Sequence, residues 1–376
     1  MLEARIRAGS NVKAGKLLGI TRQTVDKCMR CILHNAVKQG YSPEHDMTKT
    51  VPEGFHVQGI SSYYGEDGQL RGQWVKSQAD REAEQQILED VLKERFSCVK
   101  PLAKIAAPRK KLLKDLVNVI VLSDAHIGLY AWAEETGVGW NLKTARQMIV
   151  GAVKYLIDAA PPCEEALIAN LGDYIHTDNK SYKTTSGSHP LDVDGRWAEV
   201  VAVGVDALVS CIDFALAKHK TVRVINQCGN HDYHTAIMMN IGLSMAYKNN
   251  PRVILESSAP VYNYVRYGKV LVGITHGDKR IKPDELPLVM AADRPGDWGD
   301  SLYRYWYTGH LHHQRKFEPT GSNCTIETFR IMAGRDAWHQ GQGYRAGREM
   351  QSIILHRDFG ETARNVVTPD MLRQST

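Results

Sequence analysis

Residues 222–232 read VRVINQCGNHD, an apolar strand-like run that leads into a cluster of Asn, His and Asp side chains. Four more apolar runs end in the same way: VNVIVLS (117–123) leads into Asp124-Ala125-His126, ALIANL (166–171) into Gly172-Asp173, VLVGIT (270–275) into His276-Gly277-Asp278, and YRYWYT (303–308) into Gly309-His310-Leu311-His312. Amphipathic stretches of helical length lie between most of them, at 143–159, 194–217, 233–249 and 283–292. This alternation predicts an α/β sheet, and open α/β sheets collect functional side chains at the carboxyl ends of their strands.

The five polar clusters have the composition of a metal site. Asp, His and Asn supply oxygen and imidazole donors, which suit Mn, Fe or Zn and do not suit Ca or a metal that prefers thiolates. A glycine beside most of the candidate ligands lets the backbone turn sharply off the strand and approach the metals closely. Each motif alone occurs by chance in many chains. Five of them in this order, each behind a strand, predict one shared site.

The series D-x-H, G-D, G-N-H-D, H and G-H-x-H resembles the calcineurin-like metallophosphoesterases over roughly residues 116–312. The G-H-x-H ending and the Asp that follows the Asn-His pair are similar to the Mre11-like nucleases and cyclic phosphodiesterases. The resemblance implies two divalent metal ions, with Mn favoured and Fe, Zn or Ni as alternatives. It implies that the first ion is held by Asp124, His126 and His312, that the second is held by Asn230, His276 and His310, and that Asp173 bridges both.

Two metal ions about 3.5–4 Å apart clamp a phosphate, and a hydroxide that bridges them attacks it. The leaving oxygen then needs a proton, and His231, beside the ligand Asn230, is the predicted general acid. Asp232 is predicted to orient the imidazole of His231 or to raise its pKa. The alternative for His231 is a purely structural hydrogen bond.

Side chains near these motifs are candidate substrate contacts, with ordinary loop residues as the alternative. They are His176, Asn179, Tyr233, Arg196 and Arg335. Arg335 stands in a Gly-rich stretch with Trp338, Tyr344 and Arg345. Arginine combined with aromatic side chains holds phosphates and stacks bases, although the same combination is also common in ordinary packing.

Residues 1–45 predict a small all-α helix-turn-helix domain. Ser10 caps a first helix, Gly19 ends it, and the next helix is predicted to bury Val25, Cys28, Met29, Ile32, Leu33 and Ala36. The other face of that helix offers residue types that contact phosphates and base edges, namely Arg22, Gln23, Lys27 and Arg30. The segment GKLLGITRQTV (15–25) resembles the helix-turn-helix consensus of DNA-binding modules, with Gly15 in place of the usual Ala. The alternative is a helical hairpin that packs on the enzyme or on another subunit.

The rest of the chain is predicted to form a connector, 46–115, and a phosphoesterase domain, 116–376. The connector combines a hairpin around Glu66-Asp67-Gly68 with a charged helix over 73–96. The resemblance implies a four-layer α/β/β/α sandwich for the phosphoesterase domain. The pairing with a small helical domain resembles phosphoesterases of bacteriophages and prophages.

Composition limits the partners and the cellular compartment that can be predicted for the chain. The 376 residues carry a net charge of +5, which fits an anionic partner without demanding one. The seven cysteines are scattered, and Cys28-x-x-Cys31 lacks the second ligand pair of a zinc site, so reduced thiols and a cytoplasmic location are predicted, in the bacterial host if the chain is phage-encoded. Residues 1–10 lack the apolar core of a signal peptide. The apolar stretch 200–217 is interrupted by Asp206 and Asp213, which predicts a buried helix and no membrane partner.

The leading hypothesis is a metal-dependent nuclease or nicking enzyme that hydrolyses DNA phosphodiester bonds. Phosphoester chemistry would come from the metal site, and DNA would be held by the helix-turn-helix, helped by formation of a homodimer or a higher homo-oligomer. A second hypothesis is a phosphodiesterase or phosphatase for small nucleotides. A third is a DNA-binding regulator or packaging factor in which the phosphoesterase domain is a scaffold.

Overall fold

Two structural units, Met1–Asp90 and Val91–Thr376, make up the chain in this computed structural model. The structure describes residues 2–38, 40–42, 47, 49–51, 55–79, 105–109, 111–184 and 189–373. The predicted boundaries at 45 and 115 stay a prediction.

The first unit begins with three helices, α1 (Leu2–Ala8), α2 (Asn11–Leu18) and α3 (Arg22–Lys38). Helix α2 has the predicted caps, since Ser10 Oγ accepts a hydrogen bond from the backbone N–H of Lys13 at 3.3 Å and Gly19 ends the helix in the left-handed region at φ 66°. Helices α2 and α3 lie where the sequence predicts them. Their role in binding DNA remains a prediction.

The residues of α3 that were predicted to be buried are at least half-buried in the structure, except at one position. Val25 is fully buried, and Cys28, Met29, Ile32 and Ala36 are half-buried. Leu33, however, is 60% exposed, so the prediction that it is buried was wrong. Each residue turns an α-helix by about 100°, which places Leu33 about 80° around the helix from Val25, at the margin of the buried stripe.

An antiparallel hairpin of two long strands, β1 (Phe55–Tyr64) and β2 (Leu70–Ala79), follows in the same unit. Its turn lies at the predicted Glu66-Asp67-Gly68. The charged helix predicted over 73–96 was wrong for 73–79, because Gln73 and Trp74 pair with Ser62 and Ser61 across the hairpin. The remainder of that predicted helix, 80–96, lies outside the described residues.

The second unit contains two mixed sheets. The strands of the unit are β3 (Leu113–Leu122), β4 (Cys163–Asn170), β5 (Thr221–Asn226), β6 (Val253–Leu255), β7 (Asn263–Tyr267), β8 (Val270–Thr275), β9 (Tyr303–Thr308), β10 (Arg315–Phe317), β11 (Cys324–Thr328), β12 (Met350–His356) and β13 (Gly360–Val367). One sheet has the order β13-β12-β3-β4-β5-β6, in which β3 to β6 are parallel. The other has the order β10-β11-β9-β8-β7, in which β8, β9 and β11 are parallel.

Helices connect and cover these strands. They are α4 (Ala133–Thr136), α5 (Leu142–Ala159), α6 (Trp197–Lys218), α7 (Tyr233–Ala246), α8 (Leu286–Asp293), α9 (Pro295–Asp300), α10 (Ala337–Gly341) and α11 (Pro369–Arg373), with a 3-10 turn at Pro283–Glu285 before α8. Helix α6 is long and apolar enough to cross a membrane, but 67% of its apolar 18-residue segment is buried inside the protein. That burial confirms the buried helix predicted for 200–217.

Apolar side chains from both sheets meet between them, among them Val119, Leu167, Val272, Tyr307 and Ile353. Helix α8 packs on the outer face of the smaller sheet, where Met290 contacts the cluster around Trp306. Helix α5 lies against β3, β12 and β13, and α6 against β5, on the outer face of the larger sheet. The mixed α/β class and the layer order of helix, sheet, sheet and helix agree with the prediction.

Candidate metal centre

The predicted metal ligands lie together where five strands end. Three groups of side chains have donor atoms within 4.8 Å of one another: Asp124, His126 and His312; Asp173, His276 and His310; and His126, His176 and His231. They follow β3, β4, β5, β8 and β9 at their carboxyl ends. The first two groups contain six of the seven predicted ligands, and the seventh, Asn230, contacts the second group.

The first group is formed by the ends of β3 and β9. The Nε2 atom of His312 lies 3.3 Å from Asp124 Oδ1 and 3.2 Å from Nε2 of His126. The backbone N–H of His310 donates to both carboxylate oxygens of Asp124, at 2.9 and 3.1 Å, so the two loops are held together. One carboxylate and two imidazoles that converge in this way form a suitable set of donors for a divalent transition metal.

The second group centres on His276. Its Nε2 atom lies 3.1 Å from Asp173 Oδ2 and 3.0 Å from Asn230 Oδ1. Its Nδ1–H donates to the backbone carbonyl of Leu171 at 3.0 Å, which orients the ring and leaves Nε2 as the donor atom for a metal. The other carboxylate oxygen of Asp173, Oδ1, accepts a hydrogen bond from the backbone N–H of His231 at 2.7 Å.

The backbone at the site adopts a conformation that few side chains tolerate. Seven non-glycine residues of the described chain have positive φ, and five of them are predicted ligands: Asp124 (43°), His126 (42°), Asp173 (50°), His310 (68°) and His312 (58°). Left-handed backbone at such residues costs about 1–3 kcal/mol each and persists only where the surrounding structure holds it. This concentration of strain supports a functional role for these loops.

Two glycines allow the loops to approach one another. A Cβ atom at Gly229 would lie 2.0 Å from Asp173 Oδ1 and 2.3 Å from the Asp173 backbone nitrogen. A Cβ atom at Gly309 would lie 2.4 Å from Asp124 Oδ2. The glycines therefore have the close-approach role predicted for them.

Charge and burial set the protonation of the ligands. Burial lowers the pKa of His126 well below its usual value, and repulsion from His231 and His312 lowers it further. Burial raises the pKa of Asp173, but the positive charge of His276 outweighs it and holds that pKa well below the ordinary range. Burial lowers the pKa of His276, whereas Asp173 and then Asp124 raise it more, to about 10. Metal ligands bind in their deprotonated forms, so a metal at the second group must displace a proton from His276.

The environment of His231 differs from the prediction in one respect. Its Nδ1–H donates to the backbone carbonyl of His176 at 2.9 Å, and that bond orients the imidazole. Asp232 does not supply this orientation. Its Oδ2 accepts hydrogen bonds from the backbone of Tyr174 and Ile175, and its Oδ1 accepts one from Gly229. Asp232 is fully buried and ties the loop after β4 to the loop after β5, because a carboxylate can satisfy several backbone donors at once.

The predicted substrate contacts are distributed unevenly. His176 is buried and its Nδ1 lies 3.1 Å from Nδ1 of His126. Arg335 lines a cleft beside the first group, and Tyr233 lines a recess beside His276. Asn179 binds within its own loop, where its Oδ1 accepts from the backbone of Ser181 at 2.8 Å. Arg196 is exposed at the start of α6.

Asp336 and His339 lie at the site and were missed by the sequence reasoning. The His339 ring stacks on the ring of His312, with centroids 5.0 Å apart and planes 20° apart. Asp336 caps α10 and its Oδ1 accepts from Nδ1 of His339 at 2.6 Å. The D-x-x-H spacing is a helix-capping signal, but nothing local in the sequence relates it to His312.

Comparison with known proteins gives neither a matching family model nor a matching curated protein. Among solved structures, a predicted phosphoesterase from Streptococcus pneumoniae is similar at 12% identity and a TM-score of 0.30, covering 68% of this chain and 99% of its own. Vps29 from Entamoeba histolytica, solved with zinc, is similar at 13% identity and a TM-score of 0.29, covering 66% and 98%. A 5'-nucleotidase from Candida albicans is similar at 10% identity and a TM-score of 0.33, covering 72% and 52%. At this level of similarity none of the three assigns an activity or a metal to this chain.

Proposed function

We propose that this chain is a dinuclear metal-dependent phosphodiesterase that hydrolyses DNA, as a nuclease or a nicking enzyme. The observation that carries the proposal is the convergence of two ligand groups at five strand ends on strained backbone. Strained backbone of this kind lowers the stability of the fold, and it is explained if the site must hold its metal-donor atoms in fixed positions. The G-H-x-H motif and the helical first unit support the Mre11-like branch and a phage or prophage setting as parts of the same proposal.

The donor set fits two divalent ions. Asp124, His126 and His312 would hold one, and His276, His310 and Asn230 would hold the other, with Asp173 shared between them. When bound, a pair of divalent cations supplies charge neutralisation at the phosphate and activation of the attacking water. Mn is the metal proposed from the family resemblance, and Fe, Zn and Ni are the other candidates, since the ligand types suit all four.

His231 supplies the proton that the leaving oxygen requires. The imidazolium form carries protons on both nitrogens, and the Nδ1 proton is engaged by the carbonyl of His176. The Nε2 proton is therefore the one to be transferred to the leaving oxygen. The hydrogen bond at Nδ1 orients the ring before the reaction, so no free energy is needed to orient it during proton transfer. A histidine general acid is usually held in this way.

DNA as the substrate is supported by the first unit. Arg22, Gln23, Lys27 and Arg30 are all exposed on α3. Helix α3 is 17 residues long, enough to lie in a major groove with these side chains toward phosphates and base edges. A small nucleotide is the second candidate substrate, favoured by a cleft beside His126 and His312 that Arg335 and Tyr344 also line.

The first experiment is a cleavage assay with added Mn on linear double-stranded, single-stranded and supercoiled DNA, beside bis-p-nitrophenyl phosphate. We expect Asp173→Asn to abolish hydrolysis and His231→Ala to lower kcat by about 10²- to 10⁴-fold. Asp370→Asn is the matched control, because that carboxylate is 83% exposed and lies on α11. Hydrolysis that survives Asp173→Asn would refute the metal mechanism, and cleavage of the small diester alone would favour the nucleotide substrate.

The role of α3 is tested separately, by duplex binding as a function of salt concentration. We expect Lys27→Ala to weaken binding and to reduce the slope of log K against log salt by about 0.9, since one phosphate contact is lost. Lys248→Ala, in the second unit, is the control. An unchanged slope for Lys27→Ala would mean that the first unit does not hold DNA through this face.

A further inference from the structure

A row of aromatic rings leads away from the first ligand group. His339 stacks on His312, and Trp338 and Tyr344 meet the His339 ring edge-on, with centroids at 4.9 and 5.7 Å. Trp338 and Tyr344 stack on each other with centroids 5.8 Å apart and planes 28° apart. The pair is therefore a stack of two aromatic rings, one ring away from the predicted metal ligand His312.

This pair, Trp338 and Tyr344, is termed the aromatic platform. Its rings are open to solvent, with Trp338 59% and Tyr344 50% exposed. Large exposed aromatic residues cost hydrophobic free energy, so a pair that stays exposed beside a reaction site suggests a ligand that covers it.

Two arginines flank the aromatic platform. Arg335 and Arg345 each donate through Nη1 to the backbone carbonyl of Tyr344, at 3.4 and 2.9 Å. Within the described part of the chain, both guanidinium groups bind backbone carbonyls, those of Tyr344 and, for Arg345, also Gln340, and neither forms an ion pair with a carboxylate, so their charge is available to an anion. Aromatic faces beside uncompensated guanidinium groups are the combination that binds a base and its phosphates.

We propose that the aromatic platform stacks an unpaired base of single-stranded DNA next to the phosphate to be cut, and that Arg335 and Arg345 contact the neighbouring phosphates. This inference rests on the proposed function and narrows its substrate to single strands or to frayed and flipped ends. Inside a duplex both faces of a base are occupied by its neighbours, so a protein ring can stack only on a base that has left the helix.

The neighbouring cleft agrees in position. It is lined by His126 and His312 on one side and by Arg335 and Tyr344 on another, so the predicted metal ligands and the aromatic platform share one cleft. A phosphate at the metal ligands would thus have its base within reach of the aromatic platform.

The test measures binding by fluorescence anisotropy with the full chain in EDTA, where no hydrolysis occurs. The probes are labelled hexathymidylate and a labelled hexamer of abasic sites, which keeps the backbone and its charge but has no bases. We expect Trp338→Ala to weaken binding of hexathymidylate about tenfold and to leave the abasic hexamer unchanged. Trp338→Phe keeps an aromatic face and is expected to retain most of the affinity.

Phe359→Ala is the matched control, since that ring is 64% exposed and follows β12 at the edge opposite the metal ligands. Equal binding of the two probes by the unmodified chain, or an equal loss for Trp338→Ala on both, would overturn the inference. The outcome does not depend on catalysis. Base-dependent binding without any hydrolysis would defeat the proposed function alone, and hydrolysis without base-dependent binding would defeat this inference alone.

Discussion

The close contact at Gly229 allows a strong prediction about the metal centre. In Gly229→Ala, the new Cβ would lie 2.3 Å from the backbone nitrogen of Asp173, whereas ordinary contacts of a Cβ lie at 3.4–4 Å. Rotating the Asp173 side chain does not remove the overlap, because the backbone nitrogen takes part in it. One of the two loops must therefore move by about 1 Å. A misplacement of that size at a reaction site costs about 10²-fold in rate.

The assay has two readouts, kcat/KM on bis-p-nitrophenyl phosphate and the rise in Tm as Mn is added. We expect Gly229→Ala to lose at least about 10²-fold in kcat/KM. Its Tm should no longer rise with Mn, because Asp173, a member of the second ligand group, is displaced. Gly309→Ala should also lower kcat/KM and the response to Mn, since its Cβ would lie 2.4 Å from Asp124 Oδ2 and the carboxylate of that predicted ligand would have to turn away.

Gly296→Ala is the control for a glycine that has room. A Cβ at Gly296 in α9 would meet nothing within 4 Å, so activity and the Mn response should be unchanged. If Gly229→Ala keeps its activity and its response to Mn, then the loops after β4 and β5 are not held at this separation for metal binding, and the reasoning fails.

Two further predictions concern stability, measured by denaturant unfolding in EDTA. Arg364 on β13 donates to Glu327 on β11 through its two terminal nitrogens, Nη1 and Nη2, at 2.5 and 2.8 Å, and Glu327 is 1% exposed. Arg364→Met leaves that buried carboxylate poorly compensated and should cost about 3–5 kcal/mol. His219 is fully buried, its Nδ1–H donates to the Cys163 carbonyl, and burial lowers its pKa to about 4. The unfolded chain binds this proton below about pH 6.5 and the folded chain does not. His219 therefore removes about 3 kcal/mol of stability as the pH falls from 6.5 to 4, and His219→Asn should lack that loss.

Each of the two stability predictions has a control substitution at an exposed residue of the same type. Arg146 and Asp206 form an equally short pair at 2.6 Å but are 42% and 56% exposed, so Arg146→Met should cost less than about 1 kcal/mol. A similar small loss for Arg364→Met would show that burial does not set the strength of the Glu327 pair. For His219, His189→Asn serves as the exposed comparison. Identical acid profiles for the unmodified chain and for His219→Asn would contradict the assignment of the proton to this group.

Much of the second unit could be predicted from local patterns. The strands β8 and β9 begin and end where the apolar runs 270–275 and 303–308 do, and α5 differs by one residue from the stretch 143–159. A continuous apolar run bounded by Gly and polar residues has few other solutions. The caps at Ser10 and Gly19 were predictable for the same reason, since a cap is a property of four or five neighbouring residues.

Apart from Leu33, the errors arose where contacts distant in sequence outweigh local preference. Trp74 lies in a strand because it pairs across the hairpin with Ser61. Asp232 follows His231 directly, and yet its carboxylate binds backbone N–H groups of Tyr174 and Ile175 on another loop. His339 stands 27 positions from His312 in the chain and stacks on it. No local window contains both partners of such a contact.

The residue types of the candidate ligands, and the position of each ligand motif directly after a strand, follow from the order of residues. Both are local properties, since they depend only on residue type and on the alternation of apolar and polar runs. Which ligands share an ion, which loops carry left-handed backbone, and where the exposed rings of Trp338 and Tyr344 lie relative to His312 depend on how two sheets pack and bring five strand ends to one edge. That packing is a cooperative choice among many side chains, since each apolar residue of the core contacts several elements at once. The positions of the donors are therefore set by the folded chain as a whole, to within the fraction of an ångström that metal binding requires.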